Sequence, residues 1–265
     1  MRLTTSFCSS DHILRAFVNY SKNASGPVTL HPFTMMAPYK SMHENICRIA
    51  RDKQIPLIVV PYHNNQRAVQ GDRVATSVRG LNATIKTLAP CTVGVLVDRG
   101  FRNMRPTHFS YHVGVVFIGG RDDREALAYA SRMSGHPYVS VTVIRVILRD
   151  QNEQGDGDED EKMERLIDEA LFDEFKLKNV CNACVVCREI MVEDSVGVVD
   201  AIRCLERNYD LVMVGRRHRK IPLHDEEMPA FTVNEDLGVI GDVLASSDSF
   251  GVWVSVLVLH CEGVR

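Results

Sequence analysis

Four short stretches carry residue types whose spacing could do chemistry. Gly119, Gly120, Arg121 and Asp122 follow an apolar run and open a helix-like pattern. Glycines there would let a ligand approach backbone N–H groups, and a helix start favours an anion. Yet Asp122, Asp123 and Glu125 already bring negative charge to that helix end, and Asp122 precedes Glu125 at capping-box spacing. A capped structural turn and a ligand-facing loop both fit, and the capped turn is favoured. The second stretch is Gly215 with the basic run Arg216, Arg217, His218, Arg219 and Lys220. Such a run attracts a phosphate, stays solvated, or pairs with an acidic segment.

The third stretch is Cys181, Cys184 and Cys187, a C-x2-C-x2-C pattern. Zinc needs four ligands, and no further Cys or His stands close by. An iron–sulfur run would need another Cys three residues on, followed by Pro. Cys184 and Cys187 would also point to opposite faces of a strand. We expect small buried apolar residues and no metal. The fourth is the acidic loop Asp150–Glu161, with seven carboxylates. Asp156, Asp158 and Asp160 alternate as in a calcium-binding loop, but Ile167 occupies the position where the final Glu belongs. A solvated loop is expected. His31, His43 and His63 have no evident partner, and neither G-x-S-x-G nor a P-loop occurs. No catalytic residue is assigned, and no reaction type is expected.

The elements that must hold these residues are read from periodicity. Val113–Ile118 is a continuous β-branched-rich run, as in a strand covered on both faces. A helix with Ala126, Leu127, Ala130 and Met133 on one stripe follows, then a second strand at Val139–Leu148. That is a parallel strand–helix–strand unit, right-handed by rule. After the acidic loop come a helix with Met163, Leu166, Ala170 and Leu171 inward, a strand at Ala183–Met191, a helix carrying Val198, Ile202 and Leu205, a strand at Leu211–Val214, a helix near Val239–Ala245 and a closing strand at Val252–Leu259. The first half offers a helix at Ser10–Tyr20, a short strand at Val28–Leu30, a helix capped by Ser41 and Glu44, a strand at Ile55–Val60, a helix over 76–88 and a strand at Thr92–Val97.

Side by side, the halves share one element order, and the second has an extra leading strand–helix–strand. The expected architecture is α/β, with two doubly wound parallel-sheet lobes over residues 1–105 and 106–265. The first lobe lacks about 50–60 residues of opening β-α-β unit. Its exposed edge and apolar surface should lean on the second lobe or on a partner. Net charge is −3, which gives no electrostatic reason for a nucleic-acid partner, and eight scattered cysteines suit a reducing compartment. No apolar run reaches the roughly 18 uncharged residues of a membrane span, so no direct membrane insertion is expected.

Ala89–Gly100 (APCTVGVLVDRG) looks like the last strand of universal stress protein domains. SDHILRAFVNY (10–20), APYKSMHENIC (37–47), IPLIVVPYHNNQ (55–66), FIGGRDDREALAYASRMSGHP (117–137), YDLVMVGR (209–216) and GVIGDVLASSDS (238–249) together resemble the C-terminal cytosolic region of plant cation/proton exchangers of the CHX group. The resemblance implies a regulatory tail of two stress-protein-like lobes, on the cytosolic face of an endomembrane or the plasma membrane. Its partner would be a membrane antiporter domain, which this chain lacks, and a homodimer through the terminal strands is left open. Nucleotide-binding stress proteins carry a G-x2-G-x9-G-[S/T] loop. Here Gly215 fills the first position, His218 stands at the second, Gly238 and Gly241 lie too far away, and Pro61 replaces the first glycine in the other lobe. No cofactor is expected, and nucleotide binding is the weaker alternative. The ligand-loop candidates are Gly119, Gly120, Arg121, Asp122, Gly215, Arg216 and Arg217.

Overall fold

The computed structural model describes residues 35–63, 73–99, 111–149, 159–205, 208–219, 236–246 and 254–262, with isolated positions at 15, 17–19, 29–31 and 234. The chain divides into Met1–Pro38 and Tyr39–Arg265. In the first unit, the expected helix at Ser10–Tyr20 is described only at 15 and 17–19, which are helical. Thr29 and Leu30 belong to no strand, and Val28 lies outside the described residues.

All the elements named below belong to the second unit. They are α1 (Tyr39–Asp52), β1 (Leu57–Pro61), α2 (Arg73–Leu88), β2 (Thr92–Val97), β3 (Tyr111–Phe117), α3 (Arg121–Met133), β4 (Val139–Leu148), α4 (Glu159–Lys178), β5 (Val185–Val192), α5 (Ser195–Arg203), β6 (Leu211–Gly215), α6 (Gly238–Ala245) and β7 (Ser255–His260). The helix expected to be capped at Ser41 begins two residues earlier, at Tyr39. The last three acidic residues of the expected loop, Glu159 to Glu161, form the first turn of α4. Carboxylates suit that position because the orphan N–H groups of a helix start carry partial positive charge. The rest of the acidic loop lies outside the described residues.

The strands form one seven-stranded sheet in the order β1-β2-β7-β6-β3-β4-β5. Every pair is parallel except β2 with β7. From β7 to β5 the sheet is doubly wound, with its switch point between β3 and β6. The other two strands repeat part of that design. Leu57 pairs with Thr92 as Leu211 pairs with Ser255. Under this equivalence the antiparallel pair Val93–His260 maps onto Val97–Val256, so a local two-fold runs between β2 and β7. Among the described residues, β1 and β2 are thus the counterparts of β6 and β7. They extend the sheet through β2, which pairs with β7, so both edges of β7 are occupied within the chain.

Apolar side chains fill both faces. Phe117, Ala126, Leu127, Ala130, Phe172 and Phe175 pack under α3 and α4. Val198, Ile202, Ile240 and Leu244 pack under α5 and α6 on the opposite side, where Ile85 of α2 joins them. Such two-sided cover explains why the strands read as unbroken apolar runs. One expectation fails. The stripe Met163, Leu166, Ala170 and Leu171 does not face inward: α4 buries Asp168, Phe172 and Phe175 instead. Phe172 stacks on Phe117 at 5.7 Å between ring centroids, while Arg145 and Lys176 lie over its ring at 4.8 and 4.6 Å. The inward face is chosen by what waits for it: a ring partner for Phe172, and polar partners for Asp168 in the Gly120 N–H and Arg124.

Candidate functional site

Open α/β sheets bind ligands beyond the carboxyl ends of their strands, at the switch point. Here that place is the crevice between the β3–α3 turn, the loop after β6 and the residues after β7. The turn is built on glycine. Gly119 and Gly120 have φ of +128° and +104°, a region where a side chain is strained. A Cβ on Gly119 would also stand 2.7 Å from an Asp168 carboxylate oxygen.

The helix start is not capped as its spacing predicts. α3 begins at Arg121, and its N-cap, Gly120, offers no side-chain bond. Asp122 is instead inside the helix and buried, and it reaches away from its own backbone. Its Oδ1 accepts from the Cys261 N–H at 2.8 Å and its Oδ2 from the Arg217 N–H at 3.1 Å. His260 Nδ1 lies 3.4 Å from Oδ2. The capping reading fails because the part-buried N–H groups of Arg217 and Cys261, far away in sequence, claim the carboxylate. Glu125, the other half of the expected box, accepts from Thr92 Oγ1 of β2 at 3.0 Å.

Asp123 is the hub. Its side chain is fully buried. Oδ2 accepts from the N–H groups of Ile118 and Gly119, each at 2.9 Å, and Oδ1 accepts from the Gly215 N–H at 2.9 Å. His218 Nδ1 sits 2.9 Å from Oδ2. A third carboxylate arrives from α4. Asp168 accepts from the Gly120 N–H at 3.0 Å and from Arg124 Nη1 at 2.9 Å, with Arg219 Nε 3.8 Å away. Arg219 in turn donates its backbone N–H to the Gly119 carbonyl at 2.8 Å.

Burial opposes ionisation of both Asp122 and Asp168, with different outcomes. For Asp122, hydrogen bonds from His260, the Cys261 N–H and the Arg217 N–H outweigh burial and hold the carboxyl below its ordinary range. For Asp168, burial prevails over the Gly120 N–H, Arg124 and Arg219, and its pKa is raised. Chemically, the N–H groups of Ile118, Gly119, Gly120, Gly215 and Arg217 are already taken by the chain's own carboxylates. Outside them lies a cleft of about 330 Å³, lined by Gly120, Arg121, Asp122, Arg217 and His218 among others. His218 Nε2 is buried there without a hydrogen-bond partner.

Residues 110–260 match the family model described as plant cation/H(+) antiporter, C-terminal domain, and residues 2–101 match that described as plant cation/H(+) antiporter domain. The chain belongs to the plant cation/H(+) antiporter family. Cation/H(+) antiporter 15 of Arabidopsis thaliana is 36% identical over 269 residues, which cover 95% of this chain and 32% of that protein. Cation/H(+) antiporter 14 of the same plant is 36% identical over 98% of this chain and 31% of its own length. This antiporter-family chain thus spans about a third of the curated relatives it matches. A universal stress protein from Archaeoglobus fulgidus DSM 4304 is similar in structure at 14% identity and a TM-score of 0.40, over 97% of this chain and 81% of that one. Among the described residues, no helix of the antiporter-family chain is long and apolar enough to cross a membrane.

The crevice gathers Gly119, Gly120, Arg121, Asp122, Gly215 and Arg217 from the expected ligand loops. Arg216 follows β6, and its N–H donates to the Leu259 carbonyl at 2.8 Å, tying it to β7. Sequence reasoning missed Asp123 as an acceptor, and it missed Asp168 and His260; pairing of the basic run at 216–220 with acidic groups was one of its readings, but not the carboxylate that His218 meets. Asp168 alone left a signal: an acidic residue in phase with Phe172 and Phe175. Among the described residues no group of His, Cys, Asp and Glu is arranged to hold a metal. Cys181 and Cys184 are exposed rather than buried, because they precede β5 and do not lie within it.

Proposed function

We propose that this chain is a non-catalytic regulatory region of a cation/proton antiporter, with K+/H+ exchange as the coupled activity. Its partner is then a membrane antiporter domain on the same polypeptide, with this region on the cytosolic face. The observation that carries the reading is the occupied crevice. Asp122, Asp123 and Asp168 take the N–H groups of Gly119, Gly120, Gly215 and Arg217, so a triphosphate would have to displace three carboxylates held among the same donors. Regulation would work by differential stability: a pH change or partner that favours one arrangement of the loops biases the attached transporter.

A second reading is favoured by the arginine-lined cleft beside His218, namely a nucleotide-binding module of the universal-stress type. Titrating the chain with ATP, ADP and AMP while following its melting temperature separates the two. The regulatory reading expects no concentration-dependent rise; a rise that saturates would establish the nucleotide module instead. Transport adds a second test. A full-length family member reconstituted in vesicles should change its rate or pH dependence when the matching region is deleted, and unchanged proton-coupled K+ flux would overturn the regulatory role.

A further inference from the structure

The start of α3 keeps two backbone donors that the chain does not use. The three aspartates claim the N–H groups of Gly119, Gly120, Gly215 and Arg217. Nothing among the described residues accepts the N–H of Arg121 or of Asp122. A helix leaves its first N–H groups without intrahelical acceptors, and the first bond here runs from the Arg124 N–H to the Gly120 carbonyl. Both residues line the cleft of about 330 Å³. A helix start alone would not make a site. The second observation is His218, whose side chain is only 4% exposed. Its Nδ1 meets Asp123, and its Nε2 is buried at the wall of the same cleft without a partner. A carboxylate can only accept, so Nδ1 carries a proton, and in the neutral ring Nε2 offers a lone pair.

We infer that this cleft binds one inorganic hydrogenphosphate ion. Its oxygens accept from the N–H groups of Arg121 and Asp122, where the positive end of the helix adds to the guanidinium groups of Arg121 and Arg217. Arg121 is exposed. Arg217 reaches His260 and Asp122, yet 59% of its side chain stays open to solvent. The ion's own hydroxyl donates to His218 Nε2. The carboxylates of the cleft choose this ion. Asp122 and Glu262 also line it, and they repel an oxyanion that has no proton to give. Sulfate has none. A phosphate monoester has lost nearly all of its second proton by about pH 8, whereas inorganic phosphate still keeps one. No Phe, Tyr or Trp stands among the described lining residues for a base to stack on. The inference deepens the regulatory reading by naming an effector, and the binding itself does not depend on that reading.

The test is calorimetric titration of the whole chain at about pH 8 with potassium phosphate, potassium sulfate and AMP, with chloride holding the ionic strength constant. Phosphate should bind with a Kd of about 1 mM and raise the melting temperature by about 4–8 °C at about 30 mM. Sulfate and AMP should bind at least about tenfold more weakly. His218→Asn sets an amide N–H where Nδ1 stands, so it keeps the Asp123 bond and removes Nε2; it should weaken phosphate about tenfold. Arg121→Gln should weaken it about threefold and leave the melting temperature of the ion-free chain unchanged, because Arg121 is exposed. Sulfate binding as tightly as phosphate, or either variant binding as the wild type does, overturns the site. AMP binding as tightly as phosphate overturns the free ion and supports the nucleotide-binding module instead. A chain that binds no phosphate overturns the inference and leaves the deletion test of the regulatory role untouched.

Discussion

Replacing Asp123 tests whether the crevice is held shut by its carboxylate. Oδ2 serves Ile118, Gly119 and His218, and Oδ1 serves Gly215. Asparagine keeps one oxygen and turns an amide N–H2 towards a donor. In the better orientation it retains the Oδ2 set and strands the Gly215 N–H against another N–H. An unsatisfied buried donor costs about 1–3 kcal/mol, and losing the anion weakens the remaining bonds, so Asp123→Asn should cost about 2–3 kcal/mol. Alanine strands all four donors and should cost about 5 kcal/mol or more, comparable with the whole stability of a typical domain. A fall of about 2–4 °C per kcal/mol places the asparagine variant about 5–10 °C below wild type in a melting experiment, with a parallel fall in the urea midpoint. The control is Glu193→Gln. Its pair with Arg149, 3.8 Å apart, is exposed and should matter by less than about 0.5 kcal/mol. If Asp123→Asn fell within that same margin, the carboxylate would not be the hub and the argument from filled donors would fail.

Other outcomes follow from the same geometry. Gly215→Ala would put a Cβ 2.5 Å from Asp123 Oδ1 and 2.7 Å from its backbone N; unfolding titrations should show a loss of about 1–3 kcal/mol. The folded pKa of Asp122 lies below its unfolded value, so its contribution is in place above about pH 3.9 and disappears as pH falls through the folded value. Stability measured against pH should therefore show Asp122→Asn below wild type at neutral pH, with the gap closing in acid. Phe172→Ala removes a fully buried ring and should cost about 3–5 kcal/mol by denaturant titration.

The sheet was legible where burial on both faces leaves unbroken apolar runs, as at Val113–Ile118 and Leu211–Val214. The repeat was legible too, since it lies in element order, and the paired registers of β1–β2 and β6–β7 repeat it residue by residue. The orientation of α4 was not, because both of its faces are apolar and only Phe117 and Gly120, far away in sequence, decide between them. The crevice was half legible. Glycines and acids at 119–125 announced a special turn, but the D-x-x-E spacing suggested a local cap. Besides the nearby N–H groups of Ile118 and Gly119, the partners that claim Asp122 and Asp123 stand about ninety to one hundred and forty positions later, at Gly215, Arg217, His218 and Cys261. Local spacing carries no trace of those distant four.

With β7 enclosed between β2 and β6, the outer margins of the sheet among the described residues are Leu57–Pro61 and Val185–Val192. Arg188 and Glu189 put charge on the latter, which discourages a stray strand. The former offers Val59, about half open to solvent, and nothing charged. Concentrated stocks should therefore clump by accretion at that margin first, and a lysine at Val59 is the natural place to blunt it.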